Sequence, residues 1–93
     1  MKIYKLAYYE NICNEIRYEI ENGILSSLEF LLDGKPVLSK LQKKLNGVEI
    51  KTIIKNSVQI KKAAPFMEGF IMTLAQENKN HQIKSVLEIF HKK

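Results

Sequence analysis

Asn14-Glu15-Ile16-Arg17-Tyr18-Glu19-Ile20-Glu21-Asn22-Gly23-Ile24-Leu25-Ser26-Ser27-Leu28-Glu29-Phe30-Leu31-Leu32 decides the fold. Its first half alternates Ile16, Tyr18 and Ile20 with Glu15, Arg17, Glu19 and Glu21, the period of a half-buried strand. Asn22-Gly23 follows at once, a pair that tolerates two positive φ angles and closes a type I′ hairpin. Ile24 to Leu32 then returns as the partner strand. The spacing therefore predicts an antiparallel hairpin over 15–21 and 24–32, with Ile16, Tyr18 and Ile20 buried.

Upstream, Met1 to Tyr9 alternates loosely, with Ile3, Ala7 and Tyr9 on one side and Tyr4, Leu6 and Tyr8 on the other. This reads as a third strand with Lys2 and Lys5 guarding an edge. Downstream, Asp33-Gly34-Lys35-Pro36 is read as the end of the sheet and a helix start, since proline suits a first helical turn. Val37, Leu38, Leu41 and Leu45 form that helix's apolar stripe, and Asn46-Gly47 stops it. Glu49 opens a second helix, with Ile50, Ile53, Ile54 and Val58 as its buried stripe. Gln59 to Ala64 is read as a connection. Pro65 starts a third helix carrying Phe66, Met67, Phe70, Ile71 and Leu74. Asn78-Lys79-Asn80 is read as a break before a last helix with Ile83, Val86, Leu87 and Phe90. Strands first and helices after make one α+β domain over 1–93: a small antiparallel sheet with three to four helices on one face.

The 93 residues are 45% hydrophobic, enough for a core. A single cysteine excludes an internal disulfide framework, and no signal-peptide pattern opens the chain. No apolar run is long enough to cross a bilayer, so a soluble, cytoplasmic protein is expected. The formal net charge is +5, and of 15 basic residues only Arg17 is arginine. Lysine supplies point charges where arginine reads phosphates and base edges with a planar fork. The excess points to anionic company without sequence readout, or merely to a solvated surface.

Few residues invite chemistry. Cys13, His81 and His91 lie far apart in the chain, whereas a metal site needs about four converging ligands. No metal and no cofactor are expected. Cys13 has no evident base beside it and reads as a small buried hydrophobe. Glu15, Glu19 and Glu21 line one strand face and read as solvated carboxylates rather than an acid–base pair. Met67 and Met72 read as core filler. Leu41 to Ile54 has the outline of a helix–hairpin–helix, but Glu49 places a carboxylate where that motif meets phosphate. The chain is not expected to be an enzyme.

From Cys13 to about Ala75 the chain resembles the TSCPD domains, small cysteine-bearing modules found alone and at the C-terminus of cobalamin-dependent ribonucleotide reductases. The resemblance rests on Cys13 before the hairpin, the strand around Leu28-Glu29-Phe30, and the helix Leu38 to Leu45 closed by Gly47. More distantly the layout is similar to the iron–sulfur cluster scaffold proteins. The family's turn cysteine is replaced here by Gly34, and its Ser-Cys-Pro by Ala63-Ala64-Pro65. Only Cys13 of the motif cysteines is present, so a metal or redox role does not come with the resemblance.

On that layout three corners converge: the turn at Cys13, a helix start at Gly34 to Pro36, and another at Ala64 to Phe66. Helix starts favour anions through free N–H groups and the helix dipole. Lys35, Lys61 and Lys62 neighbour those starts, and Tyr8 and Tyr9 precede the Cys13 turn. The expected ligand-binding set is thus Tyr8, Tyr9, Cys13, Gly34, Lys35, Lys61, Lys62 and Ala64. It suits a phosphorylated small molecule, above all a nucleotide, held without catalysis by a homo-oligomeric sequestering protein. The alternative is a protein-interaction module, an accessory of a nucleotide enzyme such as a ribonucleotide reductase. Binding of nucleic acid through the lysine excess ranks last, and no membrane partner is expected.

Overall fold

The computed structural model describes residues 1–7 and 11–91, with the backbone alone over 81–91. Four strands, β1 (Lys2–Lys5), β2 (Glu15–Glu21), β3 (Ile24–Leu32) and β4 (Lys35–Val37), form one antiparallel meander in the order β1-β2-β3-β4. Four helices follow: α1 (Ser39–Leu45), α2 (Ile50–Lys55), α3 (Ser57–Ala63) and α4 (Met67–His91). The α+β class and the central hairpin are as the sequence predicts. No helix among the described residues is long and apolar enough to cross a membrane.

The hairpin works as its pattern dictates. Asn22 and Gly23 take φ of 52° and 76°, and Ile16 and Tyr18 pair across to Phe30 and Leu28, all four buried. The register then slips between Glu19 and Ile20, leaving Ser26 as the extra residue of a bulge. Leu25 and Leu28 are spaced by three, and both reach the core because the bulge absorbs one position. The Ser26 hydroxyl donates to the Glu19 carbonyl across it at 3.3 Å. Past the slip, Ile20 is half-buried rather than buried.

Other expectations are corrected as well, and Ile54, Val58 and Met72 are exposed rather than in the core. Pro36 does not start a helix; it lies in β4, opposite Leu31. Asp33-Gly34, at φ 52° and 81°, repeats the turn chemistry of Asn22-Gly23, and an edge strand tolerates a proline whose missing N–H faces away from its neighbour. Gln59 to Ala64 is not a connection but most of α3, whose inward side carries Ile60. Pro65 sits two residues ahead of α4, in a turn where the Met67 and Glu68 N–H groups donate to the Ala64 and Pro65 carbonyls. Asn78-Lys79-Asn80 does not break the last helix. Asparagine lowers helix propensity only modestly, no glycine or proline intervenes, and the Gln76 amide donates to Asn80 four residues on at 3.0 Å. The N-terminal strand ends at Lys5; Tyr8 and Tyr9 lie outside the described residues, as do the side chains of Ile83, Val86, Leu87 and Phe90.

The core lies between one sheet face and the helices. Ile16, Tyr18, Leu28 and Phe30 meet Ile50, Ile53, Phe66, Met67, Phe70 and Leu74. Phe70 stacks edge-on against Tyr18 at 5.1 Å between ring centres and tilts against Tyr4 at 5.6 Å. Gly69 lets α4 come this close, because a Cβ there would collide with the Tyr4 hydroxyl. The connection between α1 and α2 is pinned to β3: Gly47 N–H donates to Leu25 O, Leu25 N–H to Val48 O, and Ile50 N–H to Gly23 O.

A double-mutant cycle tests this close approach. Gly69→Ala in the wild type should destabilise by about 1–3 kcal/mol through overpacking. In a Tyr4→Phe background, with the clashing oxygen gone, the same change should stabilise by up to about 1 kcal/mol through helix propensity. Urea unfolding of the four proteins reads both signs.

Candidate functional site

The described surface is indented most usefully where three chain segments meet. A groove of about 530 Å³ is lined by Ile12, by Leu38 to Leu41 at the start of α1, and by Ala63 to Phe66 at the α3–α4 corner. Of the three expected corners Ala64 to Phe66 lines the groove, the Cys13 turn reaches it only through Ile12, and the third is exchanged. Because β4 occupies 35–37, the segment brought to the groove is Leu38-Ser39-Lys40, not Gly34-Lys35-Pro36. Leu38 reaches it at φ 56°, a left-handed conformation costing a bulky residue on the order of 1–2 kcal/mol. The walls are mainly apolar, and Lys40 supplies the one charge in the lining. α4 begins one residue past Phe66, so the positive end of its dipole lies at the groove's margin.

The expected binding residues are only partly assembled there. Ala64 lines the groove. Cys13, next to the lining residue Ile12, is fully buried in the core, and its thiol donates to the Glu15 carbonyl at 3.3 Å. Burial pushes the Cys13 thiol up, against the opposing backbone hydrogen bonds, so it is a neutral thiol at ordinary pH. Gly34 belongs to a different cleft, and Lys35 is exposed on β4. Lys61 and Lys62 sit in the last turn of α3 and do not line the groove. Tyr8 and Tyr9 are outside the described residues. Ile12, Leu38, Ser39, Lys40, Leu41 and Ala63 are the lining residues that sequence reading missed. A bulky Leu38 directly before Ser39 was the available sign, since serine often precedes a helix and would have moved the helix start downstream.

Gly34 and Asp33 line a polar cleft of about 450 Å³ on the outer side of the sheet, with Lys5, Leu6, Ala7, Asn14, Glu15 and Arg17. Its charges are already matched. Glu15 takes Lys5 at 2.9 Å and Arg17 at 2.6 Å, and the Asn14 amide donates to Asp33 at 3.0 Å. The hydrogen bonds from Lys5 and then Arg17 hold the Glu15 carboxyl below the usual glutamate range. Among the described residues no group of three or more His, Cys, Asp or Glu comes together closely enough to hold a metal ion. His81 and His91 fall where side chains lie outside the described residues.

Across the sheet, Glu77 of α4 links three elements. Lys2 donates to one carboxylate oxygen at 2.6 Å, and the Tyr18 hydroxyl donates to the other at 3.1 Å. Burial, with the Glu77 charge beside it, pushes the Tyr18 hydroxyl up to about 12.

Comparison of the chain with protein-family models, with curated protein sequences and with solved structures finds no match in any of the three.

Both titrations carry a sign. Tyr18 keeps its proton in the folded protein while an unfolded tyrosine loses it near pH 10, so its contribution is complete below that pH and lost as pH rises toward 12. Absorbance at 295 nm should show a tyrosine ionisation at about pH 12, and Tyr18→Phe should remove that step. Glu15 has a lowered pKa, so its contribution is present above the ordinary glutamate value and lost on acidification through the folded value. Glu15→Gln should flatten the acid side of a melting-temperature profile.

Proposed function

We propose that the protein is a non-catalytic binding protein for a phosphorylated small molecule, with a nucleotide as the leading class, and that the groove at the α1 and α4 starts is its site. One observation carries this reading: the Ile12 turn, the start of α1 and the α3–α4 corner meet around a concavity of about 530 Å³ with apolar walls and a single lysine. That volume is within the ordinary range for small-molecule sites. Apolar walls suit a flat base, and Lys40 with the α4 dipole suits a phosphate. The lining offers a hydroxyl and an ammonium but no carboxylate, imidazole or thiol, which favours holding a ligand over transforming it.

The resemblance to TSCPD domains belongs to the same reading, although only Ala64, at the family's third cysteine position, lines the groove, while Gly34, at its second, lies in the other cleft. A cytoplasmic homo-oligomer is the remaining part. The sheet edges themselves do not recommend pairing: β1 and β4 are four and three residues long and carry Lys2, Lys5, Lys35 and Pro36. A second reading, a docking module for another protein, draws on Ile12, a large apolar residue 47% exposed at the groove.

A thermal-shift screen against nucleotides and cyclic nucleotides tests the proposal. A ligand at one hundred times its Kd should add about 2.7 kcal/mol of stability. Lys40→Ala should weaken the response at least tenfold, and Ala63→Trp, which fills the groove from an exposed position, should abolish it. No shift with any phosphorylated compound, or an equal shift in Ala63→Trp, would leave the docking reading in its place.

A further inference from the structure

The lysines of this chain are not spread evenly, and their pairing is more uneven still. Between Leu38 and Ala64 the chain carries seven lysines and one acid, Glu49. Lys40, Lys43 and Lys44 are exposed on α1, Lys51 and Lys55 on α2, and Lys62 on α3, while Lys61 is half-buried. They fall opposite the inward-facing Leu45, Ile50, Ile53 and Ile60, so the solvent sides of three consecutive helices share one sign of charge, a belt of lysines. In β1 and β2 the cations are neutralised: Lys2 pairs with Glu77, and Lys5 and Arg17 pair with Glu15. On the three helices only Lys51 has an acid, Glu49 at 3.4 Å, among the described residues.

We infer that this three-helix surface is a docking site for the phosphodiester backbone of a nucleic acid, bound without regard to sequence. The partner follows from what the surface offers and what it lacks. An acidic protein would be held through a desolvated centre rich in aromatic residues and arginine. A membrane surface would call for bulky apolar anchors interleaved with the cations. These three helices carry no aromatic residue and no arginine, and only two large apolar residues on them, Ile54 and Val58, are exposed against six exposed lysines. Spaced ammonium groups are what a phosphate backbone needs, and they position it without reading bases.

A built contact point reinforces the assignment. Lys44, Thr52, Asn56 and Gln59 surround a hollow of about 250 Å³ floored by Leu45, Val48, Ile53 and Ile60. None of those four polar side chains has a hydrogen-bond or ion-pair partner among the described residues, and no carboxylate lines the hollow. An ammonium, a hydroxyl and two amides can together hold the unesterified oxygens of one phosphodiester. This inference is independent of the groove, since of the belt lysines only Lys40 lines it.

Fluorescence anisotropy with a labelled dT 20-mer and a labelled 20-base-pair duplex, at rising salt, tests it. Wild type should bind at 50 mM salt and weaken steeply by 200 mM. Lys44→Gln/Lys55→Gln and Lys43→Gln/Lys51→Gln should each weaken binding at least tenfold and lower the log–log salt slope for the single strand by about 1.4. Lys35→Gln/Lys79→Gln removes the same charge from two exposed lysines elsewhere and should change affinity less than threefold. Ala63→Trp should bind as wild type. Circular dichroism checks that each variant is folded, and either belt pair suffices. The inference fails if neither oligonucleotide binds, or if the control pair loses as much as the belt pairs. Capture of polyglutamate or phosphatidylglycerol vesicles with no binding of either oligonucleotide would also overturn it, assigning the surface to an acidic protein or a membrane instead.

Discussion

Everything that positions the groove depends on how α4 is seated against the sheet, and Phe70 is the contact that seats it. Its ring fits between Tyr4 of β1 and Tyr18 of β2, with Gly69 clearing the space for the Tyr4 hydroxyl. Two helical turns beyond, Glu77 is held by Lys2 and Tyr18, so the helix is fixed at two heights along the same pair of strands. With α4 pinned in this way, its entry corner at Ala64–Phe66 faces the start of α1. Phe66 also meets Phe30 edge-on at 6.0 Å, which ties that corner to β3. The aromatic contacts add about 0.5–1.5 kcal/mol each beyond burial, but their structural effect is to fix a helix axis.

The second constraint comes from the loop between α1 and α2. Backbone hydrogen bonds from Gly47, Leu25 and Ile50 run it alongside the beginning of β3, and Ile24 and Glu49 form a bridge there. The helix pair is thereby attached to the sheet through main-chain groups, leaving its side chains free to be lysines. That is why a segment with so few buried residues, Leu45, Ile50, Ile53 and Ile60, can still hold its place.

Some of this was legible in the residues. Asn22-Gly23 and the alternation before it announce the hairpin, and Gly47 announces the end of α1. Asp33-Gly34 carried the same turn signal but was overruled by Pro36, which belongs equally well to a helix start and to an edge strand. α3 was obscured because its only fully buried residue is Ile60, leaving no apolar stripe to count. The continuous α4 was obscured by two asparagines whose propensity cost is smaller than the packing that sustains the helix. Of the expected binding residues Ala64 lines the groove, while Lys61 and Lys62, in the last turn of α3, do not. A helix boundary misplaced by three residues at Pro36 exchanged Gly34 and Lys35 for Leu38 and Lys40. The clustering of cations was visible as a count but not as a surface. Which lysines are paired is decided by strand register and by α4, neither of which a one-dimensional pattern specifies.

The meander has a kinetic consequence. Each strand pairs with its sequence neighbour, and two of the three connections are two-residue turns that can close within microseconds. Contacts so local incur little loop-closure entropy, so the β2–β3–β4 ladder can form early and fast. α4 can add its long-range contacts only once there is a sheet to receive Phe70. The groove, which needs both the first half of the chain and the start of the last helix, is therefore among the last features to exist. A ligand that recognises it recognises only chains that have finished folding.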